Sequence, residues 1–289
     1  MQIVTDSGAD LSPEQKTGLD YVTAPLTLTL DGVSYVSGVD ITHEDFYHLL
    51  EQSQGMPTTS LPSAGEFAEL YRTVSQKAKD ILSIHISSGL SGTLNAAKQA
   101  AGVVAGEGIN VQIVDTMTLS AAEGWQVEGA AHAINAGWPL EKIHDLLNRI
   151  RAATDTCFTL PDLRYLIHGG RISHIAGLAA QVLNIKPIIG VDKISGKYDQ
   201  WGRARTFNRA IEAIADVIQS RHPEGTALRV QVMHARAPEA AARLRSALEG
   251  RFACTFLPDG PIAPVLGAHT GPGLVGCAYA PLADYPTLP

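Results

Sequence analysis

Cysteine is scarce in this sequence, and long apolar runs are missing. The three cysteines, Cys157, Cys254 and Cys277, are widely spaced and form no CxxC pair. This pattern excludes a disulfide framework and a cysteine-based zinc site, so each is expected to be a small buried side chain. No run reaches the roughly 18 apolar residues of a membrane-spanning helix. Residues 1–6 lack the basic and apolar segments of a signal peptide, so we expect a cytoplasmic protein without an integral membrane segment.

Clustered charge is missing as well. The formal net charge is −7, and no block of like charges long enough to form an interaction tail occurs. Binding to a phosphate backbone requires a clustered basic surface, so nucleic acid is not an expected partner. With 45% hydrophobic residues among 289, the chain is long enough to build two domains around apolar cores.

Three cofactor motifs are absent or fail on spacing. No Walker A sequence for ATP occurs. His43 and His48 resemble the HExxH motif, but zinc requires two histidines at i and i+4 on one helical face, and these are one residue too far apart. Residues 271–276 spell GxGxxG, yet the chain ends 13 residues later, without room for a dinucleotide-binding βαβ unit. We expect a tight turn there, no metal and no cofactor.

The first half of the chain alternates short apolar strands with helices. Residues 81–87 and 111–115 are predicted strands, and predicted helices follow them over residues 92–105 and 119–135. This order indicates right-handed βαβ units and a parallel sheet. Residues 21–30 alternate apolar and polar side chains in the manner of one half-buried strand.

The pattern changes in the second half. Residues 185–191 and 197–205, joined by a Ser-Gly turn, predict a hairpin. Further strands and helices follow without the regular alternation of the first half. We therefore expect an α/β fold with two domains: a parallel-sheet α/β domain over residues 1–153 and an α+β domain over residues 154–289.

Hydroxyl side chains gather where predicted strands end. Residues 87–93 read Ser-Ser-Gly-Leu-Ser-Gly-Thr and pass from a strand into a helix, where free N–H groups and the helix dipole favour an anion. Ordinary capping by Ser91 explains the same residues. Thr59 and Ser60 also precede a predicted helix, and capping does not explain them. Because ligands of parallel sheets bind beyond the carboxyl ends of the strands, both segments are candidate binding sites.

Four cationic or histidine side chains stand out, each with an ordinary structural explanation beside a functional one. Arg171 follows a short amphipathic helix and a glycine pair, which fits a helix end and a surface ion pair. Arg203 and Arg205 lie on one strand of the predicted hairpin, where solvation alone explains them. His269 is predicted to lie in a turn of small residues, which would let its ring reach a ligand.

Seven segments, taken in order, resemble the DegV family along nearly the whole chain. They are residues 4–7, 59–63, 87–93, 114–116, 166–172, 185–187 and 269–273. Leu61 departs from the pattern, since the family usually has Gln there. The resemblance implies a two-domain fold that buries one long-chain fatty acid, carboxylate inward, at the domain junction.

The same resemblance implies roles for individual residues in binding the acid. Thr59 and Ser91 would hydrogen-bond the carboxylate, with the Gly92 N–H assisting. His269 would complete this site from the second domain, and Arg171 would lie near the head group. These donors agree with the physical requirement that a carboxylate taken from water be met by several hydrogen bonds.

The family includes the fatty-acid-binding subunit of bacterial fatty acid kinase, and this implies a partner. A separate ATP-dependent kinase subunit would phosphorylate the bound acid, and this chain would carry the acyl phosphate toward phospholipid synthesis. Arg203 or Arg205 would meet the kinase or the transferred phosphate. The apolar residues 175–185 would wall the acyl tunnel. The chain would then be an accessory to catalysis and not itself an enzyme.

Two alternatives stay open. A serine esterase would use Ser91 and His269, with the helix N-terminus as its oxyanion site. No acid is assigned as a partner of His269, and the GxSxG elbow of hydrolases is missing. Leu61 in the position of the family glutamine instead hints at a regulatory module that does not bind lipid.

Overall fold

The computed structural model describes residues 1–174 and 185–289. The strands are β1 (Gln2–Asp6), β2 (Tyr21–Ala24), β3 (Thr27–Leu30), β4 (Val33–Val36), β5 (Thr58–Ser60), β6 (Asp80–His85), β7 (Asn110–Asp115), β8 (Asp155–Thr159), β9 (Lys186–Val191), β10 (Tyr198–Ala204), β11 (Ala227–His234), β12 (Ala253–Phe256), β13 (Gly260–Pro261) and β14 (Val275–Pro281). The helices are α1 (Pro13–Lys16), α2 (His43–Gln52), α3 (Ala64–Ser75), α4 (Thr93–Ala105), α5 (Ser120–Asn135), α6 (Leu140–Ala153), α7 (Arg164–His168), α8 (Phe207–Gln219), α9 (Pro238–Glu249) and α10 (Pro264–Thr270). A 3₁₀ turn, η1, spans Arg171–His174. Within the described ranges, none of these helices has the length and apolar character needed to cross a bilayer.

The first sheet has the order β2-β1-β6-β7, and all of its pairs are parallel. Successive residues of β1 point to opposite faces: Ile3 packs in the same core as Trp125 of α5, whereas Val4 packs with Phe67 of α3. A parallel sheet covered by helices on both faces requires strands that are apolar on both sides, and β1 is buried throughout. The predicted parallel-sheet region is confirmed.

The second sheet has the order β10-β9-β8-β14-β11-β12, with β13 added beside the end of β11. Its pairs are antiparallel except those of β11 with β12 and with β13. Helices α8 and α9 cover one face. The hairpin β9–β10 agrees with the sequence, but the last strand, β14, lies in the middle of the sheet and was not predicted. Every described strand that follows α6 belongs to this sheet.

A small antiparallel sheet, β4-β3-β5, corrects the interpretation of residues 21–30 as one strand. Those residues form β2 of the first sheet and β3 of this one. Pro25 lies between them and has no N–H to continue a ladder. The next N–H, that of Leu26, donates to Ser7 Oγ at 2.9 Å instead. Residues 21–30 do alternate between apolar and polar side chains, but their first part belongs to one sheet and their second part to another.

Helix α5 is packed between the two large sheets. It is buried on nearly every side, which explains why its Ala-rich sequence shows no polar face. Trp125 Nε1 donates to Gln231 Oε1 of β11 at 2.7 Å, and Glu128 pairs with Arg229 of β11 at 2.8 Å. Gly124 permits this packing, because a Cβ there would lie 2.3 Å from the Asp10 carbonyl oxygen.

Two of the cysteines face each other in the second sheet. Cys157 of β8 and Cys277 of β14 are register partners, and both are buried. The hydrogen bond between the thiols, together with burial, raises the pKa of Cys157 well above its ordinary value. Cys254 on β12 is only partly buried, because β12 ends its sheet. The expectation of burial is therefore wrong for this one cysteine.

Candidate functional site

A cavity lies between the first and second sheets. It offers about 110 Å³ to the centres of water-sized molecules, whereas one water needs roughly 10–15 Å³. Most of its wall is apolar and comes from both parts of the chain, including Ile86, Leu119, Phe158, Tyr198, Met233 and Leu266. The wall of this cavity is therefore suited to an apolar ligand. Of the apolar stretch expected to wall it, residues 175–184 lie outside the described residues.

Polar side chains from four separate segments line the same cavity. Thr59 comes from β5, Ser91 from the loop between β6 and α4, Arg171 from η1, and His269 from α10. These four residues were singled out in the sequence, and the fold brings them to one place although they are up to 210 positions apart. Gly92 is the N-cap residue of α4 and stands next to Ser91. Their roles toward a ligand stay predictions.

A hydrogen bond in the cavity joins Thr59 to His269, with 2.8 Å between Thr59 Oγ1 and His269 Nε2. Burial, together with the smaller effect of the positive charges of Arg171 and His168, lowers the pKa of His269 to about 4. The ring is therefore neutral at pH 7. His269 lies in the last turn of α10 and not in a loop, which corrects the sequence interpretation. The signal for this helix was Pro264, a residue that favours the first helical position.

The tautomer of His269 follows from its surroundings. Its Nδ1 is buried and has no hydrogen-bond partner among the described residues. Either tautomer leaves Nδ1 unpaired, as a donor or as an acceptor, and buried donors without an acceptor are the rarer of the two in proteins. This favours the proton on Nε2, which then donates to Thr59 Oγ1. The hydroxyl proton of Thr59 is then available to another acceptor in the cavity.

Gly169 makes the space that the His269 ring occupies. An ideal Cβ on Gly169 would lie 2.2 Å from His269 Nδ1. The glycine ends α7 with ordinary right-handed backbone angles, so it is required for room and not for conformation. The Gly169 carbonyl accepts a hydrogen bond from Arg171 Nη1 at 2.5 Å. Gly169 thus leaves room for the His269 ring and, through its carbonyl, orients the Arg171 side chain.

The loop that carries Ser91 is fixed to the second sheet. Ser87 Oγ donates to the Gly196 carbonyl at 2.8 Å in the β9–β10 turn. Ser91 Oγ lies 2.8 Å from Thr93 Oγ1 and also accepts the Thr93 N–H. The N-cap residue of α4 is Gly92 and has no side-chain cap, so the capping explanation for Ser91 is wrong; Ser91 binds the Thr93 N–H from one position earlier and lines the cavity.

Leu61 closes the space beside Gly92. It lines the cavity, and its Cδ2 would lie 3.1 Å from an ideal Cβ on Gly92. An apolar side chain thus stands at the polar end of the cavity, where the family usually has glutamine. It does not fill the cavity, so the geometry gives no support to a module that has lost its binding site.

A hydroxyl–histidine–carboxylate chain lies elsewhere and is structural. Ser83 Oγ is 2.7 Å from His85 Nε2, and His85 Nδ1 is 3.0 Å from Asp6 Oδ2. All three side chains are inaccessible to solvent, so no substrate reaches them, and they join β1 to β6. At the cavity itself, His269 Nδ1 faces no carboxylate in the described part of the chain. The geometry therefore gives no support to the esterase alternative.

Asp10 lies near the site, and the sequence did not indicate this. Its carboxyl is buried, accepts a hydrogen bond from Ser120 Oγ at 2.5 Å and one from the Ala263 N–H at 2.9 Å. Burial raises its pKa to about 7. Ser120 lines the cavity. No local pattern could have revealed these contacts, because the partners are more than 100 residues away.

Arg203 and Arg205 lie outside the cavity, exposed on β10 and the residues after it. Ala204 between them packs against the core under α8, so Arg203, the residue before it on β10, points to the opposite face of the sheet. Tyr198, on that same strand, packs into the core that contains the cavity wall. Arg203 is thus on the cavity side of the second sheet, and Arg205 follows the last residue of β10.

Comparison with known proteins gives a consistent family likeness. A family model described as "Uncharacterised protein, DegV family" matches residues 1–282. A DegV domain-containing protein of Deinococcus radiodurans is 36% identical over 279 residues, covering 96% of this chain and 95% of that protein. One from Staphylococcus aureus is 35% identical over 274 residues, covering 95% and 96%.

Solved structures show the same architecture. A DegV family protein of Thermus thermophilus, described by its fatty acid binding, is 30% identical with a TM-score of 0.85 over 97% of this chain and 99% of that one. DegV of Bacillus subtilis, described as a fatty acid binding protein, is 28% identical with a TM-score of 0.85 over 97% and 98%. The α/β fold, with its parallel-sheet first part and second sheet, is therefore the fold of these proteins.

Proposed function

Because this chain belongs to the DegV family, we propose that it binds one long-chain fatty acid in the cavity between its two large sheets. The acid lies with its carboxylate inward, between a domain of residues 1–153 and a domain of residues 154–289. The observation that carries this proposal is the Thr59–His269 hydrogen bond at the polar end of an otherwise apolar cavity. The fatty acid binding described for the relatives of Thermus thermophilus and Bacillus subtilis supports it.

The head-group chemistry follows from the tautomer of His269. With Nε2–H donating to Thr59, the Thr59 hydroxyl donates its own proton to the carboxylate. Ser91 Oγ and the Gly92 N–H at the start of α4 add donors, and helix N-termini favour negative charge. The guanidinium of Arg171 supplies a positive charge near them. Burial of the acyl chain contributes about 0.8 kcal/mol per methylene.

Thr59→Ala and Ser91→Ala are each expected to weaken oleate binding roughly 10- to 100-fold with the fold unchanged. Each removes one hydrogen bond to a charged group, which is worth about 1.5–3 kcal/mol. Isothermal titration calorimetry measures the effect. Thr58→Ala is the matched control, because Thr58 is exposed on the same strand and does not line the cavity. Unchanged affinity in both site variants would move the carboxylate elsewhere.

Mass spectrometry of the freshly purified protein tests the proposal itself. We expect a stoichiometric long-chain fatty acid in a denaturing extract. Added oleate should also stabilise the stripped protein, by about 4 kcal/mol at a thousandfold excess over Kd. An empty protein whose melting temperature does not respond to oleate would refute fatty-acid binding and leave the fold assignment unchanged.

A partner kinase is the finer part of the proposal. A separate ATP-dependent fatty acid kinase would phosphorylate the acid, and Arg203 or Arg205 would meet the kinase or the phosphate. Their exposed positions at the end of β10, with Arg203 on the cavity side of the second sheet, support this role. Arg203→Ala and Arg205→Ala should spare oleate binding and slow phosphorylation by a cognate kinase. Arg243→Ala, exposed on α9, is the control, and loss of oleate binding in the site variants would refute the assignment.

A further inference from the structure

Helix α10 begins without a capping side chain of its own. Its N-cap residue is Ala263, which offers no side-chain acceptor. The Ala263 N–H donates to Asp10 Oδ1 at 2.9 Å, and the Val265 N–H donates to Ser37 Oγ at 3.3 Å. These acceptors are 253 and 228 positions away along the chain. The first turn of the helix is thus satisfied from the other domain.

We propose that Asp10 and Ser37 are positioning residues for the fatty-acid site, because they hold α10 from the first domain and so fix where His269 meets Thr59. This inference rests on the proposed function, because it concerns the site for the fatty acid. The position of α10 itself is argued from the contacts of that helix. Neither residue belongs to the segments that would touch the acid.

The helix is short enough to transmit a displacement of its first turn. Ala263 and His269 are six residues apart, which corresponds to about 9 Å of helix. Its middle is pressed against α2, since an ideal Cβ on Gly267 would lie 2.4 Å from Tyr47 Oη. A contact of about 3.6 Å is no longer a hydrogen bond. A shift of α10 by roughly 1 Å therefore removes the Thr59–His269 bond, which is 2.8 Å long.

Asp10 is itself firmly held. Its Oδ2 accepts a hydrogen bond from Ser120 Oγ, and its backbone N–H donates to the Ser120 carbonyl at 3.2 Å. The Ser120 N–H in turn donates to the Gly8 carbonyl at 2.9 Å. Ser120 is the first residue of α5 and lines the cavity. One carboxyl therefore ties together the starts of the two helices, α5 and α10, that border the cavity.

The test compares oleate affinity among single variants by calorimetry. Asp10→Ala and Ser37→Ala should each lower the affinity about tenfold, the effect of one lost hydrogen bond in the support of α10. Asp10→Asn keeps an oxygen for the Ala263 N–H and an N–H₂ for Ser120 Oγ, so it should restore near wild-type affinity. Thr206→Ala removes the cap of the remote helix α8 and should leave oleate binding unchanged.

A double-mutant cycle separates positioning from general destabilisation. If Asp10 acts through His269, then Asp10→Ala should cost nothing further in a His269→Ala background. The same loss in both backgrounds would overturn the proposal. Ser37→Ala in the His269→Ala background repeats the test through the second acceptor, so the result does not depend on how well Asp10→Ala folds.

NMR of the ligand-free protein tests the positioning apart from lipid. In Asp10→Ala and Ser37→Ala, the His269 ring signals should shift, and its pKa should rise from about 4 toward the ordinary histidine value as its packing loosens. Unchanged His269 signals and pKa in both variants would overturn the inference. A wild-type protein that binds no oleate would refute the proposed function, and the NMR result would still decide the positioning role.

Discussion

Gly169→Ala is expected to weaken oleate binding at least about tenfold while leaving the fold intact. A Cβ on residue 169 would lie 2.2 Å from His269 Nδ1 and 3.0 Å from its Cε1. Contacts that short do not occur, so one group must move. The His269 ring is the mobile partner, and when it moves it leaves Thr59 Oγ1 without the Nε2–H donor. The Thr59 hydroxyl then loses its orientation toward the carboxylate.

The fold should survive because the strain falls on one side chain. Gly169 has φ of −71° and ψ of −5°, angles that alanine adopts without cost. We expect the circular dichroism spectrum and the urea midpoint to stay near those of the wild type, while the calorimetric Kd rises. A change of stability as large as the change of affinity would contradict this explanation.

Gly102→Ala is the matched control for this experiment. Gly102 lies on α4, and an ideal Cβ there meets nothing within 4 Å. The substitution should leave oleate binding unchanged and stabilise the protein by about 0.5–1 kcal/mol, since alanine favours a helix interior over glycine. If Gly169→Ala also binds oleate with wild-type affinity, the carboxylate does not depend on the position of His269.

The second large effect is on stability, and it concerns Glu123. Glu123→Met should stabilise the protein by about 2–4 kcal/mol at alkaline pH. Glu123 lies on α5 with no exposed surface, and neither carboxyl oxygen has a hydrogen-bond partner among the described residues. Burial raises the pKa of this carboxyl well above its ordinary value, and the charges of Asp6, Asp10 and Asp115 raise it further. Methionine is of similar length and brings no charge.

The direction of the pH dependence follows from where the proton is held. The folded protein keeps a proton on Glu123 at pH values where the unfolded chain, with a pKa near 4.5, has already lost it. The contribution of Glu123 to the free energy of unfolding is therefore fully present below that value and is lost as the pH rises toward the raised folded pKa. Asp10, whose pKa burial raises to about 7, contributes in the same direction up to that pH.

Urea unfolding at several pH values between about 5 and 8 measures this dependence. The wild-type curve should fall with rising pH, and the Glu123→Met curve should be flatter, with the difference growing toward alkaline pH. Glu44→Met, exposed on α2, should change neither the slope nor the stability much. Parallel curves for the wild type and Glu123→Met would mean that the carboxyl ionises alike in the folded and unfolded states.

The sequence predicted those elements whose signals are local. Ser12 with Gln15 and Ser63 with Glu66 form capping boxes at the starts of α1 and α3. Alternating strands and helices indicated the parallel sheet. The strand β14 was missed because its position depends on pairing across 41–53 residues with β11 and across 116–124 residues with β8. Pro25, which divides β2 from β3, carried a local signal that the alternating pattern obscured.

The candidate site shows the same division between local signals and long-range contacts. Thr59, Ser91 and His269 could be singled out because hydroxyls and small residues cluster around them and because the segments resemble a family. That Thr59 and His269 meet, and that Gly169 makes room for the ring, depends on packing between distant segments. Asp10 and Ser37 have no local signal at all, since their partners are backbone N–H groups that every sequence provides. A residue that supplies only its backbone N–H to a tertiary contact can be of almost any type. Such contacts therefore leave no pattern in the sequence.

The facing thiols of Cys157 and Cys277 are natural probes for the opening of the core of the second sheet. Both sulfurs are buried between strands at the middle of that sheet, and the raised pKa of Cys157 keeps it in the unreactive thiol form. A thiol reagent reaches the partly exposed Cys254 from the native state, whereas the other two thiols react only when the core that buries them opens. The interval between the first and the later additions therefore measures how often this core opens, without any added label.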